Sequence, residues 1–178
     1  MVLIGTVSPQ QFYEIQDDKF LSEVNITAWK DNSLPHEVRT KLLVDAMNFT
    51  EKAAILTRSL KNSTWVGGFQ GSVRLGMPEE IRYQDGPQGF RAVKPAQGTS
   101  TAWPSLETIG TSWDRELVRL FGASMAKEFY EKGAHVHLGP GVNVQRIPVN
   151  GRNFEYISGE DPILGKVLGY EIVTGIQS

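Results

Sequence analysis

The chain has 178 residues, room for one domain of ordinary size. Lys+Arg 18 against Asp+Glu 20 gives a net charge of -2, which lacks the basic surface that nucleic acid requires, and the absence of cysteine removes disulfides, thiolate zinc sites and cysteine nucleophiles together. A hydrophobic share of 40% supplies a core and excludes wholesale disorder, while no apolar run approaches the roughly 20 residues that span a bilayer.

Residues 1–34 have no clean period and read as an N-terminal arm or lead-in to a domain over 35–178. The opening MVLIGTVS has no basic region and too short an apolar stretch for a secretory signal. Three N-x-[ST] sequons nevertheless mark Asn25, Asn48 and Asn62 as candidate glycosylation sites. They point to an extracellular or secretory-pathway protein whose true N-terminus lies elsewhere; the alternative is chance sequons in a cytosolic protein. From Pro35, apolar spacing through Val38, Leu42 and Met47 predicts a helix with proline in its first turn. Thr50 is placed to cap a second helix carrying Ala53, Ile55, Leu56 and Leu60. A glycine-rich loop over 65–78 follows, then a short strand over 81–83 and the Asp85-Gly86-Pro87 turn.

The clearest element comes next. Thr111 and Asp114 fit a capping box, Leu117, Leu120, Phe121, Met125 and Phe129 mark one face, and Gly133 stands at the stop. Strands are expected over 134–138 and 142–144, then a long loop, then a helix capped by Asp161-Pro162 with Leu164, Leu168 and Ile172. Strands alternating with helices predict an α/β fold with a parallel sheet. A (β/α)8 barrel takes about 250 residues, so the order fits only the N-terminal βα units of such a barrel, preceded by helices. The last helix ends before the strand it should lead to, and a truncated polypeptide is expected.

Two segments concentrate polar residues just beyond predicted strands: DGPQGFR, with Asp85 and Arg91, and GRNFEY, with Arg152 and Glu155. Loops at the carboxyl ends of parallel strands form the active face of such folds. A carboxylate accepts from adjacent hydroxyls and a guanidinium donates in a rigid fork, a set suited to a polyhydroxylated ligand. Equally, Asp85 serves as a turn cap and the arginines as partners of nearby carboxylates. Other candidates are weaker. His135 and His137 alternate onto one strand face, but no third ligand lies at suitable spacing, so they read as ordinary strand histidines and no metal is expected. Trp65, Phe69 and Trp103 could stack on a sugar ring but read first as packing aromatics, Asp114 and Arg115 read as helix-terminal solvent charges, and no phosphate-loop motif occurs.

The run LGMPEEIRYQDGPQGFR resembles the first barrel strand of glycoside hydrolase family 3, the β-glucosidase family, with its approximate pattern LGIP-x-L-x-x-x-DGP-x-G-x-R. LGPGVNVQRIPVNGRNFEYISGEDP resembles the same family's LGP-x-x-N-x-x-R-x-P-x-G-G-R-N-F-E-Y-x-S-E-D-P. RTKLLVDAMNFTEKAAIL is similar to its leading helix and TAWPSLETIGTSWDREL to the entry into its next helix, so the likeness runs over about residues 36–178 in family order. Departures are Gln84, where Ser or Asn is common, Ile147 for an acidic residue, Asn150 for a glycine, and an added Gly159.

The resemblance implies that Asp85, Arg91 and Arg152 bind hydroxyls of the non-reducing sugar, with Glu155 orienting Arg152. It also implies a retaining β-glucosidase-type hydrolase acting on a β-glucoside or oligosaccharide, without metal or organic cofactor. Such chemistry uses two carboxyl groups about 5–5.5 Å apart. The family pattern puts its nucleophile, its acid/base and a sugar-binding Lys-His pair beyond Ser178, so no catalytic residue is expected here and the missing C-terminal part of the enzyme becomes the expected partner. The alternatives are a non-catalytic sugar-binding remnant or pseudoenzyme, and an α/β interaction domain without ligand.

Overall fold

A computed structural model describes residues 25–57, 65–92 and 97–178. Asn62 and Leu60 lie outside the described residues. The chain divides into two compact units, residues 1–59 with 69–80, and residues 60–68 with 81–178.

The first unit holds α1 (His36–Ala46) and α2 (Phe49–Leu56). Pro35 is the residue before α1 rather than its first helical residue. The cap of α2 is Asn48, not Thr50: its Oδ1 accepts from the Glu51 amide at 2.9 Å while Glu51 Oε2 accepts from the Asn48 amide at 2.9 Å. That reciprocal pair satisfies two helix-end donors at once, which Thr50 cannot match from inside the first turn. Glu51 also receives Arg74, whose Nη2 reaches the Ala46 carbonyl at 2.7 Å. Ala46, Met47 and Leu75 form the small core, and the Trp29 indole donates to the Leu75 carbonyl at 3.0 Å.

The expected loop over 65–78 contains a strand, β1 (Gly67–Gln70), and a 3-10 turn, Val73–Leu75. The sheet continues with β2 (Glu80–Asp85) and β3 (Val136–Leu138), in the order β1-β2-β3. β2 and β3 run parallel, pairing Tyr83 with Val136, Gln84 with His137 and Asp85 with Leu138. The connection between them carries the short α3 (Leu106–Gly110), capped by Ser105, and α4 (Arg115–Glu131), capped by Asp114. Thr111 ends α3 rather than boxing α4. The expected strand over 142–144 does not form. Gly141 makes a single bridge to Tyr156, and the Val142 carbonyl is taken by the Ser158 hydroxyl at 2.7 Å, so no ladder propagates. The last helix, α5 (Pro162–Ile176), starts on Asp161 as expected.

The core of the second unit lies between α4, α5 and the sheet: Leu106, Val118, Phe121, Met125, Phe129, Leu168 and Ile172 are buried. Leu117 and Leu120, expected on the inner face of α4, are exposed. Glycine explains the rotation of that face. A Cβ on Gly122 would fall 2.4 Å from the Ile172 carbonyl oxygen, and one on Gly175 would fall 2.1 Å from that of Arg119. The helices meet backbone to backbone along this seam, and its hydrophobic flank is Val118 and Phe121. The fold is α/β, with the parallel pair β2 and β3 joined by a helical crossover, and no helix among the described residues is long and apolar enough to cross a membrane.

Candidate functional site: a cleft at the strand ends

Strand alternation sends Gln84, 1% exposed, into the core and leaves Asp85 at the rim. The turn after Asp85 is closed by the Gly89 amide on the Gly86 carbonyl at 3.3 Å and the Arg91 amide on the Asp85 carbonyl at 3.2 Å. Only glycine fits at 86, because a Cβ there would meet the Gly89 carbonyl oxygen at 1.9 Å and the Phe129 ring at 2.6 Å. Asp85 Oδ2 lies 3.5 Å from Arg91 Nη1, both side chains about half exposed.

The second segment is folded on itself. Gln145 donates to the Gly159 and Asn153 carbonyls, and the Asn153 amide donates to those of Ile147 and Pro148 at 2.9 and 3.2 Å. Asn150, a departure from the family pattern, accepts the Arg152 amide on its Oδ1 at 3.0 Å, a local turn that glycine cannot make. Added Gly159 takes a φ of +52° in open space. Arg152 Nε donates to Glu155, whose carboxylate is largely buried while the guanidinium stays exposed. Glu155, then Tyr156 and Asp85, hold the Arg152 guanidinium above its ordinary range.

These segments line one cleft of about 600 Å³ that contains Asp85, Gln88, Leu138, Arg152, Glu155 and Tyr156. Arg91 is not among the residues of the wall and meets the cleft through its contact with Asp85. An open carboxylate, a guanidinium fixed by its own acceptor, and an aromatic edge can bind a polyhydroxylated ring by paired donors and acceptors.

The remaining candidates are structural. Trp65 packs edge-on against Phe90, and Trp103 packs on Phe121 while donating to Glu128 at 3.1 Å; Phe69 lies in β1. His135 Nδ1 accepts the Arg82 amide and His137 Nε2 meets the Gly86 carbonyl, so the two rings do not converge. No cluster of three metal-ligating side chains occurs among the described residues. Arg115 is not a free solvent charge. With Arg119 it holds Glu171, 1% exposed, each arginine taking one carboxylate oxygen. A partner more than 50 residues away left no local signal in the sequence.

Residues 81–178, more than half the chain, match the model of the glycosyl hydrolase family 3 N terminal domain. Beta-glucosidase BoGH3A of Bacteroides ovatus is 35% identical over 156 residues, covering 83% of this chain and 20% of the relative. Thermostable beta-glucosidase B of Acetivibrio thermocellus is 40% identical over 113 residues, covering 59% and 15%. Among solved structures, DesR, a beta-glucosidase from Streptomyces venezuelae in complex with D-glucose, superposes with a TM-score of 0.71 at 32% identity, covering 78% of this chain and 17% of that one. The GH3 beta-glucosidase of Bifidobacterium adolescentis gives a TM-score of 0.63 at 36% identity, covering 75% and 18%. The chain spans about a fifth or less of the length of these relatives. By the family match, and by the parallel strands and polar cleft that accompany it, the chain belongs to glycosyl hydrolase family 3 and carries sequence of its N-terminal domain.

Proposed function

We propose that this chain forms the glycone-binding part of a β-glucosidase-type hydrolase of (β/α)8-barrel architecture. Asp85 accepts from two hydroxyls of the terminal glucosyl unit, Arg152 donates to a third, Arg91 aims Asp85, and Glu155 orients Arg152. The observation that carries the reading is the sharing of one cleft by Asp85 and Arg152, which are 67 positions apart in sequence. Similarity to a β-glucosidase solved with D-glucose favours a glucosyl ligand.

In this reading neither Asp85 nor Glu155 breaks the bond. Retaining hydrolysis needs a nucleophile and an acid/base held about 5–5.5 Å apart, and Glu155 is already committed to Arg152. Those two groups come from carboxylates outside these 178 residues. Extracellular or secretory-pathway residence is part of the same proposal, supported by the exposed sequon at Asn25 and the sequon at Asn48. Calorimetric titration of the chain with D-glucose tests the binding role: saturable binding that Asp85→Asn abolishes is expected, without turnover of an aryl β-glucoside. Turnover that Asp85→Asn removes would make Asp85 a nucleophile instead.

A further inference from the structure

His137 lies beneath the cleft, on the face of β3 opposite Asp85 and its register partner Leu138. Its Nε2 is 2.6 Å from the Gly86 carbonyl oxygen. A carbonyl oxygen only accepts, so the proton of this bond sits on Nε2. Nδ1 is buried and has no partner among the described residues. A bare nitrogen tolerates that setting better than an N–H would, which fixes the ring as the neutral Nε2–H tautomer. Burial pushes the ring below the ordinary histidine range, opposed by the Gly86 bond.

The ring is also held sterically. Its centroid is 4.2 Å from that of Phe129, and a Cβ at Gly139 would fall 2.8 Å from Nε2. The Gly86 carbonyl therefore has two donors, the Gly89 amide from within the turn and His137 from the sheet. The first closes the turn on itself. The second ties the turn to the neighbouring strand, one residue after Asp85.

We propose that His137 is a positioning residue for the sugar cleft: its Nε2–H anchors the Gly86 carbonyl to β3 and so sets the direction in which Asp85 meets the ligand. The proposal rests on the glycone-binding reading above. His137 itself touches no ligand, and it acts through the peptide that follows the binding carboxylate.

The test uses the isotopically labelled 178-residue chain and D-glucose. Long-range proton–nitrogen correlation of the His137 ring should show the proton on Nε2 and a bare Nδ1. His137→Leu, which keeps bulk and loses the donor, should weaken D-glucose binding by about tenfold, the scale of one hydrogen bond lost from a preorganised site. His137→Gln, whose Nε2 can reach the same carbonyl, should restore most of it and return the Gly86 carbonyl shift towards the wild-type value. If His137→Leu does not fold, His137→Asn, too short to reach Gly86, takes its place. Wild-type affinity in the variants that lack the donor, or a proton on Nδ1, overturns the role of His137 alone. A wild-type chain that binds no D-glucose overturns the site reading and this role with it, and the ring tautomer then shows whether the anchor exists by itself.

Discussion

The second unit uses carboxylate–guanidinium pairing twice, to opposite ends. Between α4 and α5, the Glu171 carboxylate is sealed and takes a bond from Nε and Nη2 of each of two arginines, Arg115 on one oxygen and Arg119 on the other. At the cleft, Asp85 meets Arg91 through one long contact and Arg152 uses only Nε on Glu155, so acceptors and donors remain for a ligand. The residue types are alike in the two places. Burial and spare valence separate a structural clamp from a binding surface, and neither is visible in residue identity.

The strongest way to break the comparison is to separate the helices that seal the clamp. Gly122→Val would drive side-chain carbon into the Ile172 carbonyl, and cooperative melting of the second unit should be lost in calorimetry. Glu171→Gln should come next. It leaves two guanidiniums facing an amide and should lower the melting midpoint clearly, while D-glucose binding at low temperature stays as in the wild type. The same clamp predicts a pH dependence. Hydrogen bonds from Arg115 and Arg119 hold Glu171 below the ordinary glutamate range, so its contribution is complete above the unfolded-chain value and fades as pH falls through the folded one. Melting scans on the acid side should therefore show a loss that Glu171→Gln lacks. Asp161→Ala removes the α5 cap, whose Oδ1 accepts the Ile163 amide at 2.8 Å, and should cost about 1 kcal/mol. Arg152→Lys should leave the midpoint unchanged and still weaken D-glucose binding, because lysine keeps the charge and loses the fork.

The long helices were legible because cap and period agree. Asp114 and Asp161-Pro162 mark where α4 and α5 start, and Phe121, Met125, Phe129, Leu168 and Ile172 are buried as their spacing predicts. The inner face of α4 was misplaced at Leu117 and Leu120 because a glycine seam carries no hydrophobic signal, although Gly122 and Gly175 set the approach of the helices. β1 was hidden by its GGFQ composition, and α3 by a length of five residues, too short to show a period. At the cleft, the DGPQGFR and GRNFEY segments stand out by their polar density, and DGPQGFR by its place at the end of β2, whereas the strand expected before GRNFEY does not form. Their convergence in one cleft appears only in the assembled fold. His137 left a different trace. By spacing it is an ordinary strand histidine, and its bond to Gly86 appears only when β3 is brought against a turn 51 residues away.

The most direct measurement is a residue-resolved NMR titration of the chain with D-glucose. The account predicts saturable shifts confined to the two segments around Asp85 and Arg152, with the clamp at Glu171 silent. Shifts centred on Arg115, Arg119 and Glu171, or none at saturating sugar, would contradict it.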